Sequence, residues 1–302
     1  MNRVPGIIYA ISSAVAFGFV PVFAVIAYSG GTNAVTAVFL RFFLASVILL
    51  GILRYRKVKL AVSKKVFWRL AYLSIVGYAA TCVTLFISYN YISIGLATIL
   101  HFVYPAVVTV LSFFIFKEKL RPVKIISLLL SIAGVYILAG SGDASVSMGG
   151  VVLALVSGIL YSIYTIELGR EEIKTMDGLL LTFYVSLLSS ASILLYGAAT
   201  KNLMFSLQLS GLLAVLGLAV VCTVFGILVY CKAVQAIGPS DTAILSTFEP
   251  VTGVIMGIVM FGEKLDLTTA IGSSFIIISV LLFSYNRKAK VQEGKVSDMA
   301  QI

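Results

Sequence analysis

The chain has 302 residues, of which 60% are apolar and 11% charged, and its mean hydropathy is +1.10. A soluble protein of this length needs more polar surface, and runs of about 20 mostly apolar residues, each able to cross a bilayer core of about 30 Å, recur throughout. The net charge of +10 would suggest nucleic acid in a soluble protein, but the basic residues sit between the apolar runs. The lipid bilayer is therefore the expected partner, and nucleic acid is not.

Hydropathy predicts an all-α integral membrane protein with ten transmembrane helices. They fall at roughly 5–28, 34–53, 68–90, 94–116, 122–140, 149–168, 178–199, 208–231, 237–261 and 267–285. The first run carries one basic residue, Arg3, and no small-residue cleavage site, so it reads as a span and not a removed signal. Pro21 interrupts it, and Gly30–Gly31 separates it from the second. Arg54 to Arg69 is the longest and most basic internal connection. Ser141–Gly142–Asp143 marks a hinge, and a polar tail runs from Arg287. Cys82, Cys222 and Cys231 lie in apolar runs without metal-ligand spacing, which makes them packing residues.

Placing the N-terminus inside puts nineteen lysines and arginines on the inner side and two, Lys201 and Lys264, on the outer side. Arg41 lies within a span. This split predicts a multi-pass protein of the cell membrane with both termini in the cytoplasm.

The chain also repeats itself. Tyr104–Pro105 stands 14 residues before Glu118–Lys119–Leu120, and Glu249–Pro250 stands 14 residues before Glu263–Lys264–Leu265, an offset of 145. Gly6, Ala10, Ser13 and Phe17 match Gly150, Ala154, Ser157 and Tyr161 at an offset of 144. The expected organisation is a first repeat over 1–140, a hinge over 141–148, a second repeat over 149–286 and a cytoplasmic tail over 287–302. Five spans per repeat is odd, so the second copy must enter the membrane from the opposite side. Inverted repeats of this kind are a recurring build of secondary transporters, with the solute site near the midplane.

These residues, above all Ile94–Gly95 through Leu120 and Ile237–Gly238 through Leu265, carry a resemblance to the drug/metabolite transporter superfamily in its ten-span form with two EamA-type repeats. The resemblance implies the fold and a transport function without a cofactor. It leaves the solute open among amino acids, other metabolites, nucleotide-like molecules and drugs, often carried outward. His101 and Tyr104 depart from the apolar or phenyl groups that many relatives carry there.

Ionisable groups inside a membrane are expensive and usually face the bundle interior or water. Arg41, His101 and Glu249 are the three candidates. A carboxyl balanced between burial and a neighbouring arginine can take up and release a proton during a cycle, which makes Glu249 the candidate proton-coupling residue. Pro250 frees a carbonyl near Ser246 and can expose backbone to a solute. Arg41 either holds a solute carboxylate, serves as counter-ion to Glu249, or snorkels to the nearer interface. The repeat mate of His101 is Ser246, and that of Tyr104 is Glu249. Tyr161 and Tyr164 lie deep in their span, where a hydroxyl needs a partner. The candidate solute-binding set is thus Arg41, His101, Tyr104, Tyr161, Tyr164, Ser246 and Glu249. Gly253 and Gly257 read as intramolecular packing or as the seam of a homodimer.

The functional expectation is a secondary active transporter that exports a small neutral or zwitterionic solute, such as an amino acid, coupled to protons. One alternative is an importer or exchanger of nucleotide-like or phosphorylated solutes, which would favour more than one deep basic residue. A non-transporting scaffold is the other alternative. An enzyme is not expected, because one histidine in the chain leaves acid–base and metal chemistry little to work with.

Overall fold

A computed structural model describes residues 4–118, 121–139, 147–261, 267–268 and 270–283, and their regular elements are helical. Arg3, Lys119, Leu120, Ser141–Gly142–Asp143, Glu263–Lys264–Leu265 and the tail from Arg287 lie outside the described residues. Seven helices are long and apolar enough to cross a membrane, and three shorter apolar helices, Tyr104–Phe116, Pro122–Ile137 and Ala270–Phe283, accompany them.

The first span is two helices, α1 (Val4–Gly18) and α2 (Val20–Ser29). Their junction is Phe19 and not Pro21, because Pro21 occupies the second position of α2, where its missing N–H costs no bond. Helix α3 (Ala34–Tyr55) starts at Asn33, whose side chain accepts from the Thr36 N–H at 2.9 Å. Helix α4 (Lys64–Tyr72) runs through a π-helical stretch, Leu73–Ala79, into α5 (Ala80–Ser88). Next come α6 (Ile94–His101), α7 (Tyr104–Phe116) and α8 (Pro122–Ala139).

The second half follows the same plan. Helix α9 (Met148–Leu168) leads through a short α10 (Glu171–Lys174) to α11 (Gly178–Ala199). Helix α12 (Leu209–Gly217) passes through a π-helical stretch, Leu218–Phe225, into α13 (Gly226–Ile237). Then come α14 (Pro239–Ser246), α15 (Glu249–Phe261) and the last apolar helix, α16 (Ala270–Phe283). The π-helical stretches begin 145 residues apart, at Leu73 and Leu218. So do the two broken spans. Pro105 is the second residue of α7 and Pro250 the second of α15, so neither chain can carry its helix ladder through the preceding turn. The breaks fall at Phe102–Val103 and Thr247–Phe248.

The halves interlock. Helix α1 packs on α13, α14 and α15, while α9 packs on α5, α6 and α7. Helix α3 lies along α11 and against the second π-helical stretch, and α11 lies against the first. Small residues permit the close approaches. A Cβ on Gly158 of α9 would stand 2.5 Å from the His101 carbonyl oxygen, and one on Gly18 would stand 2.9 Å from that of Glu249. Gly253 faces Gly18 within the chain, an intramolecular contact. The face of α15 that carries Ile255 and Val259 is exposed, as expected of side chains that meet lipid.

One end of the bundle is basic and crossed by ion pairs between the halves. Lys124 contacts Glu118 at 2.7 Å and Asp241 of α14 at 3.3 Å, with all three side chains largely buried. Arg69 contacts Glu167 at 3.4 Å and Glu172 at 3.5 Å, and Lys65 contacts Glu172 at 2.9 Å. The hydrogen bond from Lys65 holds the Glu172 carboxyl below its ordinary range.

Candidate solute-binding site

The two broken spans meet α1, α3 and α5 around a small cleft. Its polar wall consists of Arg41, Tyr78, Thr81, His101, Tyr161 and Glu249. Phe17, Val20, Cys82, Leu85 and Phe86 complete it with apolar surface.

Arg41 is 2% exposed and does not snorkel. Its Nε donates to Thr223 Oγ1 at 2.6 Å and its Nη2 to the Tyr78 hydroxyl at 3.3 Å. The guanidinium also stands 5.3 Å from the Phe42 ring centre. Glu249 is the first residue of α15, and its remaining exposure is to the cleft. Arg41 and Glu249 share the cleft without a direct ion pair among the described contacts. A cation and a carboxyl therefore stand at separate points of one mostly apolar cavity. The start of α15 also turns the positive end of a half-helix toward that space.

His101 ends α6 at the first break, and its Nδ1 is 2.9 Å from Ser157 Oγ. Behind it lies a layer of tyrosines centred on Tyr161. Ring centroids are 4.7 Å from Tyr161 to Tyr104, 5.6 Å to Tyr164, 5.7 Å to Tyr230 and 6.0 Å to Tyr78. Tyr164 and Tyr230 are fully buried, and the Tyr230 hydroxyl is 2.7 Å from Thr165 Oγ1. Tyr78 and Tyr161 of this layer line the cleft, and Tyr104, Tyr164 and Tyr230 are packed against Tyr161.

Arg41, His101, Tyr161 and Glu249 are brought to the cleft. Tyr104, Tyr164 and Ser246 stand behind it: Tyr104 lies against Ser246, whose hydroxyl donates to the Thr242 carbonyl at 2.9 Å, and Tyr164 lies against Cys231 at 3.7 Å. Sequence reasoning missed Tyr78, Thr223 and Tyr230. Tyr78 and Thr223 carry one usable signal, since they are repeat mates at the offset of 145. Cys82, read as a packing residue, is buried and also lines the cleft. Among the described residues there is no group of three or more His, Cys, Asp or Glu that could hold a metal ion.

Comparison with known proteins agrees with this architecture. The EamA-like transporter family matches twice, over residues 4–140 and 148–285. An uncharacterized transporter of Clostridium kluyveri is 24% identical over 280 residues, covering 87% of this chain and 88% of that protein. The uncharacterized inner membrane transporter YicL of Salmonella typhimurium is 25% identical over 224 residues, covering 72% of this chain and 73% of that protein. A solved crystal structure superposes with a TM-score of 0.78 at 16% identity, over 93% of this chain and 96% of the other, which speaks to the fold alone. With an all-α bundle, two matched repeats and transporter relatives along most of its length, the chain belongs to the EamA-like transporter family of membrane proteins.

Proposed function

We propose that the protein is a secondary active transporter that exports a small neutral or zwitterionic solute, such as an amino acid, by alternating access, with Glu249 carrying a proton in exchange. The observation that supports this most is the pairing of Arg41 and Glu249 at separate points of one apolar-walled cleft. Arg41 offers a carboxylate partner and Glu249 an ammonium partner, while Phe17, Leu85 and Phe86 offer surface to an apolar substituent. A phosphorylated solute would bring two or more charges to the one arginine in the cleft, so it fits less well.

In this reading the basic end faces the cytoplasm and both termini lie there, by the bias of lysine and arginine toward that side. The two repeats, 1–140 and 149–286, are then inverted about the membrane plane. The ion pairs and the tyrosine layer close the cytoplasmic side, and the cleft belongs to an outward-facing state. The opposite state would exchange the roles of the halves.

The test is transport by the purified protein in liposomes, with a panel of amino acids, nucleosides and sugars. Saturable uptake of one class with counterflow supports a carrier. Absence of counterflow for every class would favour a non-transporting scaffold. Uptake that follows an imposed pH gradient supports the proton exchange.

A further inference from the structure

The guanidinium of Arg41 has five N–H donors in one rigid plane. Two are committed: Nε to Thr223 Oγ1 at 2.6 Å and Nη2 to the Tyr78 hydroxyl at 3.3 Å. The hydroxyl of Thr223 is itself oriented, because it donates to the Leu218 carbonyl at 2.9 Å. Its lone pair is then what faces Nε. That carbonyl lies five residues back, the spacing of a π-helix, whereas an α-helix sets its backbone bonds four residues back. The Tyr78 ring is fixed as well, 4.6 Å from Tyr164 and 5.4 Å from Phe42 between centroids.

Tyr78 and Thr223 are repeat mates, each within the π-helical stretch of its own half. Arg41 is thus gripped by one residue from each half, at equivalent positions. Its own mate at the offset of 144 is Val185, so the symmetric frame brings no second arginine to the cleft. Three N–H donors of Arg41 have no hydrogen bond among the described residues, and Arg41 lines the cleft.

We infer that Thr223 and Tyr78 are positioning residues that hold the guanidinium so that its uncommitted donors face a solute carboxylate in the cleft. The inference rests on the proposed reading of the cleft as the solute site. Thr223 touches no solute in this arrangement. It acts by restricting the torsions of Arg41, which preserves the geometry of a two-pronged contact with a carboxylate.

The test compares α-amino acids with their carboxamide counterparts in counterflow by the full-length protein in liposomes. Thr223→Val keeps the shape and removes the hydroxyl. It is expected to raise the half-saturating concentration of the carboxylate solutes about tenfold, the size of one charge-assisted hydrogen bond, and to leave the carboxamides unchanged. Thr223→Ser is expected to restore the wild-type discrimination, which a simple packing role would not do. Tyr78→Phe checks the second contact with the same readout, and serves if Thr223→Val does not fold. Wild-type discrimination in either folded variant, alongside its loss in Arg41→Ala, would overturn the positioning role and leave the proposed solute site standing. Wild-type discrimination in Arg41→Ala as well would overturn both. Failure of the wild-type protein to bind any member of the panel would also overturn both.

Discussion

Nδ1 of His101 donates to Ser157 Oγ at 2.9 Å. The direction follows from the serine, whose own hydrogen is spent on the Ala154 carbonyl at 2.6 Å. This puts a proton on Nδ1, and in the neutral form of the ring Nε2 is then an acceptor. Ser157→Ala removes the partner that fixes this tautomer. It should cost about 1–3 kcal/mol of stability and weaken solutes that donate a hydrogen bond at that point. Thermal unfolding and a solute panel on the variant check this, and an unchanged melting temperature would count against the bond.

Glu249→Gln keeps size and hydrogen-bonding capacity and removes titration. The expected variant folds, exchanges solute by counterflow and no longer responds to an imposed pH gradient. Wild-type pH dependence in liposomes bearing this variant would remove the proton role from Glu249.

Gly158→Ala places a methyl group 2.5 Å from the His101 carbonyl oxygen, closer than a real side chain tolerates. Helix α9 must then withdraw from the break between α6 and α7. A loss of about 1–3 kcal/mol, typical of overpacking, and reduced transport are expected. Gly51→Ala meets nothing within 4 Å and is the control for the substitution itself.

Lys124 joins Glu118 of the first half to Asp241 of the second. Asp241→Asn leaves a largely buried ammonium with less compensation, and breaking buried pairs of this type costs about 3–5 kcal/mol. In the proposed orientation the cost falls on the cytoplasmic end, so the variant should spend more time open there. Faster labelling of Cys231 by a membrane-impermeant thiol reagent in inside-out vesicles is the readout. Unchanged labelling in folded protein would show that this contact does not hold the end closed.

Glu172 lies outside the spans, and its folded carboxyl is held below the ordinary range by Lys65. A depressed folded value gives stability that is present above the unfolded pKa and is lost as pH falls through the folded one. Acidification below about pH 4.3, the ordinary glutamate value, should loosen α4 from α10, and more so at low salt. Glu172→Gln should flatten only that acid limb of a melting-temperature profile.

Much of this architecture was legible in the chain because repetition survives in a few rigid residues. Pro250 announced one break, its repeat mate Pro105 carries the same signal for the other, and serine and glycine spacing announced the paired first spans. The placement of the first kink was off by two residues, since Pro21 is tolerated just inside a helix start and the chain turns ahead of it, at Phe19. The site was less legible. Hydropathy reports depth and says nothing of rotation about a helix axis, so Arg41 at the cleft and Ser246 behind it looked alike. The partners of Arg41 were hidden in apolar runs, because a π-helical turn depends on tertiary packing and leaves no composition signal.

The paired π-helical stretches have a mechanical implication. Each winds its backbone with more residues per turn than the helix on either side. If one tightened to ordinary winding while its twin loosened, the bonding of the chain would stay balanced overall. Each one-residue slip would advance a segment by about 1.5 Å and turn it by about 100°. Two coupled springs, one in each half, can thus trade shape at little net cost, and Arg41 is bonded to both.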